Sequence, residues 1–183
     1  MARQGHVTNK LLVLPLLLLF PACTAYGQRP DPARTRFQAG TLKGINAMSV
    51  SIYVEGIRDI PESTYRSDIE RRLKAAGIKV LPPTENPRTY PCLSLDVDAG
   101  FIRADSETVG ERTLGSIVSW RLNFWQLIPQ NTGSQTVYIR GATWMTYGWN
   151  WGSSIRIVPL LREGYISAIE EFVNDYKTVN LSH

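Results

Sequence analysis

The 183-residue chain carries 20 Lys and Arg against 16 Asp and Glu, and 43% of its residues are hydrophobic. That length suits one domain with its own core, and the composition excludes wholesale disorder. Arg3 and Lys10 sit in the first segment, which leaves 18 bases and 16 acids interspersed along the rest, a balance that argues against a nucleic-acid partner.

Met1 to Lys10 holds two bases and no acid; Leu11 to Phe20 is the apolar run LLVLPLLLLF; Pro21 and small residues follow. This is the layout of a secretory signal. The run is broken by Pro15 and falls short of the roughly 20 apolar residues that span a bilayer. Residues 1–27 are therefore expected to be a cleaved signal peptide. Ala25-Tyr26-Gly27 puts small residues at the −3 and −1 positions before Gln28. Phe20-Pro21-Ala22-Cys23 offers a competing reading, a degenerate lipobox with Cys23 as the lipid anchor. Only that route implies peripheral membrane attachment. Either route exports the protein.

Residues 28–43 are polar, hold two prolines and show no periodicity, as a linker would. A single α+β domain is expected over 44–180. Ala47 to Gly56 alternates with Met48, Val50, Ile52 and Val54 inward, as a half-buried strand does. Ser63 is placed to cap a helix whose apolar residues are Tyr65, Ile69, Leu73 and Ala76, with Gly77 to end it. Ile78 to Leu81 reads as a short strand, and Pro82 to Pro91 as a loop. Cys92 to Gly100 alternates with Leu93, Leu95 and Val97 inward. A polar loop is expected from about Arg103 to Gly115.

Ser116 to Ile128 reads as a long strand with Val118, Trp120, Leu122, Phe124 and Ile128 inward. PQNTGSQ, from Pro129 to Gln135, reads as a turn, and Thr136 to Tyr147 as the last strand, with Val137, Ile139 and Met145 inward. Pro159 suits the first position of a final helix carrying the stripe Leu161, Tyr165, Ala168, Ile169, Phe172 and Tyr176. The order β-α-β-β-β-β-α predicts an α+β fold: one mixed sheet of about five strands with two helices packed on one face. The strand order stays open, because the short second strand suits either edge.

The last two long strands should pair antiparallel across their turn. Two registers fit. One sets Trp125 opposite Arg140 and Arg121 opposite Trp144; the other sets Trp125 opposite Tyr138 and Asn123 opposite Arg140. In both, the uncovered face carries Trp125, Tyr138, Arg140, Trp144 and Arg121, with Tyr53 and Asp96. Trp, Tyr and Arg are enriched in binding hot spots, so this face is the candidate interaction surface. The same residues also suit a sheet with no further role, since aromatics favour strands. Trp149 and Trp151, between the last strand and the last helix, either cap the core or form a ligand-stacking lip.

The only histidines are His6 and His183, which leaves a domain without histidine. Triads built on histidine and histidine-based zinc sites are excluded there, and Cys92 alone beyond the leader makes neither a disulfide nor a thiolate site. No phosphate-binding glycine motif is present. No cofactor, metal or catalytic residue is assigned, and the chain reads as non-enzymatic. Asp96 and Asp98, two residues apart on one strand face, and Glu55 are what remains for carboxylate chemistry. Asn180-Leu181-Ser182 matches a glycosylation acceptor, relevant only to a eukaryotic secretory route.

Ile69 to Leu81 (IERRLKAAGIKVL), Cys92 to Asp98 (CLSLDVD), Gly141 to Trp144 (GATW) and Glu170 to Asn180 (EEFVNDYKTVN) resemble a group of uncharacterised exported bacterial α+β proteins. The arrangement is similar to small domains of envelope proteins, including the amino-terminal domain of the Tol-system propeller protein and lipoproteins of secretion assemblies. The resemblance implies a periplasmic or outer-membrane-associated location and an accessory role, binding a protein partner or a second copy. It carries over no catalytic residue. The weak lipobox at Cys23 departs from the lipoprotein members. Without the resemblance, the leader alone leaves secretion open as well.

Overall fold

In a computed structural model, residues 37–57, 60–82, 91–106 and 110–181 are described, with backbone alone at 104–106, 110–114 and 154–155. The expected signal segment and Cys23 lie outside them.

The elements run β1 (Ala47–Glu55), α1 (Glu62–Ala75), β2 (Lys79–Val80), β3 (Cys92–Ser106), β4 (Gly110–Thr132), β5 (Gln135–Gly152) and α2 (Ser154–Asn180), preceded by helical residues 37–40. The five strands form one sheet in the order β2-β1-β3-β4-β5. β1 lies parallel to β2 and β3; β3, β4 and β5 are antiparallel neighbours. The short β2 therefore sits at the β1 edge. This is the mixed α+β sheet that the alternation patterns imply.

Both helices cover one face. Met48, Val50 and Ile52 of β1, Leu93, Leu95 and Val97 of β3, and Val118, Leu122 and Phe124 of β4 are buried against Tyr65, Ile69 and Leu73 of α1 and Leu161, Tyr165, Ile169 and Phe172 of α2. The period-2 and period-3.6 patterns meet in one core. Gly77 has φ 80°, a left-handed conformation that glycine adopts without a Cβ clash. Its N–H donates to the Lys74 carbonyl and that of Ile78 to the Leu73 carbonyl, both at 3.0 Å, closing α1 in a Schellman motif.

Several boundaries differ from expectation. Pro61, with no side-chain cap bond, precedes α1 in place of Ser63. α2 starts at Ser154, so Pro159 lies inside it. The stretch expected as a polar loop from Arg103 to Gly115 mostly extends the β3–β4 ladder. Before residue 44, Leu42 is fully buried, and Asn180 holds the segment: its Nδ2 donates to the Leu42 carbonyl at 2.9 Å and its Oδ1 accepts from the Gly44 N–H at 2.7 Å.

The β4–β5 hairpin differs most. Its turn is two residues, Gly133 and Ser134, with Gly133 at φ 65°, so both strands run through the expected PQNTGSQ loop. Trp125 pairs with Ala142, Leu127 with Arg140, Pro129 with Tyr138 and Arg121 with Tyr147, so neither expected register forms. A β-bulge between Phe124 and Trp125 leaves Thr143 as the extra residue of β5. Beyond it the side-chain parity of β5 flips. Trp144, expected on the open face, is 1% exposed in the core, while Met145, expected inside, turns to the open face.

Trp120 lies between Gly148 of β5 and Gly164 of α2, and a Cβ at either would collide with its indole. Gly164→Ala tests which effect wins. Helix propensity alone favours alanine by about 1 kcal/mol, but overpacking a filled site costs ~1–3 kcal/mol. The expected outcome is a lower urea midpoint, since the indole is held from both sides.

Tyr65 is fully buried, packs on the Tyr165 ring at 5.3 Å, and its hydroxyl has no partner among the described residues. Burial pushes the Tyr65 hydroxyl up to about 12. Tyr165 is raised too, by burial first and then by its bond to Asp68. A tyrosine raised in the folded state contributes stability that is complete below the unfolded value of about 10 and is lost as pH climbs through the folded value. Tyr65→Phe removes an unbonded buried hydroxyl. It should raise stability by about 1 kcal/mol at neutral pH and flatten the alkaline loss between pH 10 and 12, both read from urea midpoints across pH.

Candidate functional site

The other face of the sheet is uncovered by any described helix. Cross-strand register orders it in rows. Ser51, Ser94, Asn123 and Met145 form one; Tyr53, Asp96, Arg121 and Tyr147 the next; Glu55, Asp98, Ser119 and Trp149 a third; Gly100, Ile117 and Trp151 the last. The β1–β3 half is acidic and the β4–β5 half aromatic. Tyr53 and Tyr147 are each 60% exposed, Trp149 52% and Trp151 56%. A shallow depression of ≈ 430 Å³ lies among Tyr53, Glu55, Asp96, Asp98, Arg121 and Tyr147.

The polar side chains here are partly tied to the sheet. Asn123 Nδ2 donates to Asp96 Oδ2 at 3.0 Å, Trp125 Nε1 to Ser94 Oγ at 3.0 Å, and the Tyr53 hydroxyl to Glu55 Oε2 at 3.1 Å. Burial raises the Asp96 carboxyl; the Arg121 guanidinium, the Asn123 bond and Arg140 pull the other way. The bond to Glu55 raises the Tyr53 hydroxyl. Glu55 stands directly across from Asp98, a like-charge pair that costs stability unless a cation or solvent balances it. Burial raises the Cys92 thiol, which disfavours the reactive thiolate.

Of the residues expected on this surface, Arg121 and Trp125 are there. Arg140 stacks on Trp125, its guanidinium carbon 4.3 Å from the ring centroid, and Tyr138 follows on the same face of the hairpin arm, 63% exposed. Trp144 is not there, for the reason given by the bulge. Trp149 and Trp151 belong to β5 itself rather than to a connector, and both stand exposed on the open face. Tyr147 and Ile117, which complete the aromatic strip, were not singled out by sequence. The signal available was that Tyr147, Trp149 and Trp151 alternate at period 2.

Sequence reasoning also passed over Asp68. This carboxylate, 5% exposed, joins the two helices: the Tyr165 hydroxyl donates to it at 2.8 Å, Arg162 Nε at 3.1 Å and Arg71 at 2.9 Å. Its partners satisfy it and it opens into no described cavity, so it reads as a structural clasp.

Among the described residues, no group of three His, Cys, Asp or Glu side chains is placed to hold a metal ion. No described helix is long and apolar enough to cross a membrane.

No family model matches the chain, and no curated protein matches it significantly. Among solved structures, the crystal structure of a minor lipoprotein from Acinetobacter baumannii is similar over 74% of this chain and 93% of its own, at 9% identity and a TM-score of 0.28.

Proposed function

We propose that this is an exported cell-envelope accessory protein that acts without catalysis and holds a protein partner on the open face of its sheet. The observation that carries this is the strip of Tyr147, Trp149 and Trp151 on β5 with Ile117 beside it on β4, each more than 40% exposed on a face that no described element covers. Large contiguous apolar patches mark interaction sites, and Trp and Tyr supply much contact area at low entropic cost. The acidic row beside the strip (Glu55, Asp96 and Asp98) suits a partner surface that sets Lys or Arg next to apolar side chains. The first 27 residues, read as an export signal, support the envelope location.

The test is a cross-linked pull-down from the native host with wild type, Tyr147→Ala and the charge reversal Glu55→Lys/Asp98→Lys. One specific protein, lost with both variants while their unfolding midpoints hold, is the expected result. A partner retained by both would overturn the reading. A second reading, a glycan stacked on Trp149 and Trp151, is favoured by their exposure side by side on one strand. It requires tryptophan quenching by an envelope sugar, and a flat titration across a broad panel removes it.

A further inference from the structure

β5 is the outer strand of the sheet, and its free edge is treated unevenly by the rest of the chain. Gln38 Nε2 donates to the Met145 carbonyl at 3.3 Å and Thr41 Oγ1 to the Thr143 carbonyl at 3.2 Å. These carbonyls point away from β4. In an antiparallel ladder the outward direction repeats every second residue, so the main-chain N–H and C=O of Tyr147, Trp149 and Trp151 point outward as well. No described part of the chain bonds to them. At Ser153 the strand gives way to α2.

The open window is thus residues 147–151, and its limits, Met145 and Ser153, lie symmetrically about Trp149. Natural edge strands are guarded by Lys, by Pro, by inward charges, by shortness or by a covering element. The opposite edge uses shortness, with two residues in β2. The stretch Gly141 to Ser153 holds no Asp, Glu, Lys, Arg or Pro. The described residues cover this edge up to Met145, and none of them covers the main-chain groups of residues 147–151.

We infer that a second copy of this chain pairs with this window, β5 against β5, antiparallel about a twofold axis at Trp149. The window itself argues for this occupant. It is uncharged, so its own copy meets it without repulsion. Its two limits coincide under the twofold, so the covered end of one strand meets the α2 end of the other. The side chains also match: Trp149 faces its own copy and Tyr147 faces the second copy's Trp151, pairs of the aromatic kind that stabilise antiparallel strands. An isologous contact of this sort closes at two copies. The two sheets become one of ten strands, and the two open faces lie side by side. The pairing is made by the main-chain edge of β5, so this inference goes beyond the proposed function and does not depend on it, although Tyr147, Trp149 and Trp151 contribute side chains to both.

The test is sedimentation velocity of the chain from Gln28 to His183 over a concentration series. Wild type is expected to pass from monomer to dimer. Trp149→Lys sets two cations opposite each other at the axis and should stay monomeric with an unchanged unfolding midpoint, while Tyr138→Lys, on the arm, should dimerise as wild type does. Trp149→Cys should form a symmetric disulfide between two copies under mild oxidation, since a directly opposed pair has the spacing a disulfide needs. Asn131→Cys, near the hairpin tip, should not. A wild type monomeric throughout, or a dimer that survives Trp149→Lys, overturns the inference. Partner capture sensitive to Tyr147→Ala in a monomeric protein would sink the dimer and leave the open-face reading standing.

Discussion

Replacing Trp144 with alanine is expected to lower the thermal midpoint by about 10 °C, because a loss of ~3–5 kcal/mol in a chain of this size moves the midpoint by several degrees per kcal/mol. The indole is 1% exposed and meets Phe172 edge-on, with centroids 5.1 Å apart and planes at 85°. Phe172 in turn lies 5.5 Å from Phe124. The indole Nε1 donates to Asp175 Oδ2 at 2.8 Å, which fastens β5 to α2. Truncation would open a cavity where the sheet meets the last helix and release that bond. Trp149→Ala, on the open face, should stay within about 0.5 kcal/mol of wild type, the range of ordinary surface changes. Heat and urea unfolding of the two variants side by side decide the matter. Equal midpoints would put Trp144 on the surface. The contrast also means that binding lost in Trp144→Ala would report unfolding rather than a contact, so the binding surface has to be probed at Tyr147 and Trp149.

The error over Trp144 shows where sequence patterns carry structural information and where they do not. Met48, Val50 and Ile52 on β1, Leu93, Leu95 and Val97 on β3, and the stripes of both helices are buried as their periodicities imply. In each case one period runs unbroken from end to end of the buried stretch. β5 has no such single period. One extra residue, Thr143, exchanges its faces midway, and a one-residue slip inverts every side chain beyond it. Gly141, two residues earlier, is the kind of strand glycine that often marks a bulge. Gly148 and Gly152 pulled the other way: with Asn150 between them they read as a connector, yet β5 runs through both, and Gly148 is there to admit the Trp120 indole. The candidate surface was legible in kind, as an aromatic uncovered face, because the helices fall on one side only. Its membership was not, since membership depends on register, and register depended on a turn of two residues hidden in a seven-residue polar stretch.

Asp68→Ala is expected to cost about 3 kcal/mol, as breaking one side of a buried charged network does. The carboxylate sits on the buried stripe of α1, three residues after Tyr65 and beside Ile69. It collects Tyr165 and Arg162 from α2 together with Arg71 from its own helix. Its removal leaves the Tyr165 hydroxyl, on a fully buried residue, with nothing to donate to. Arg162 and Arg71, whose side chains are 52% and 68% exposed, can return to water, and this keeps the cost below that of a wholly buried pair. Two comparisons isolate the cause. Asp68→Asn keeps an acceptor for Tyr165 and should cost markedly less than Asp68→Ala. In an Asp68→Ala/Tyr165→Phe double variant, the orphaned hydroxyl is gone, so the loss should be smaller than the two single losses added together. Additive losses would show that Tyr165 and Asp68 do not act through each other. A loss erased by 1 M salt would show that the carboxylate stands in solvent, where screening reaches it, rather than between the helices.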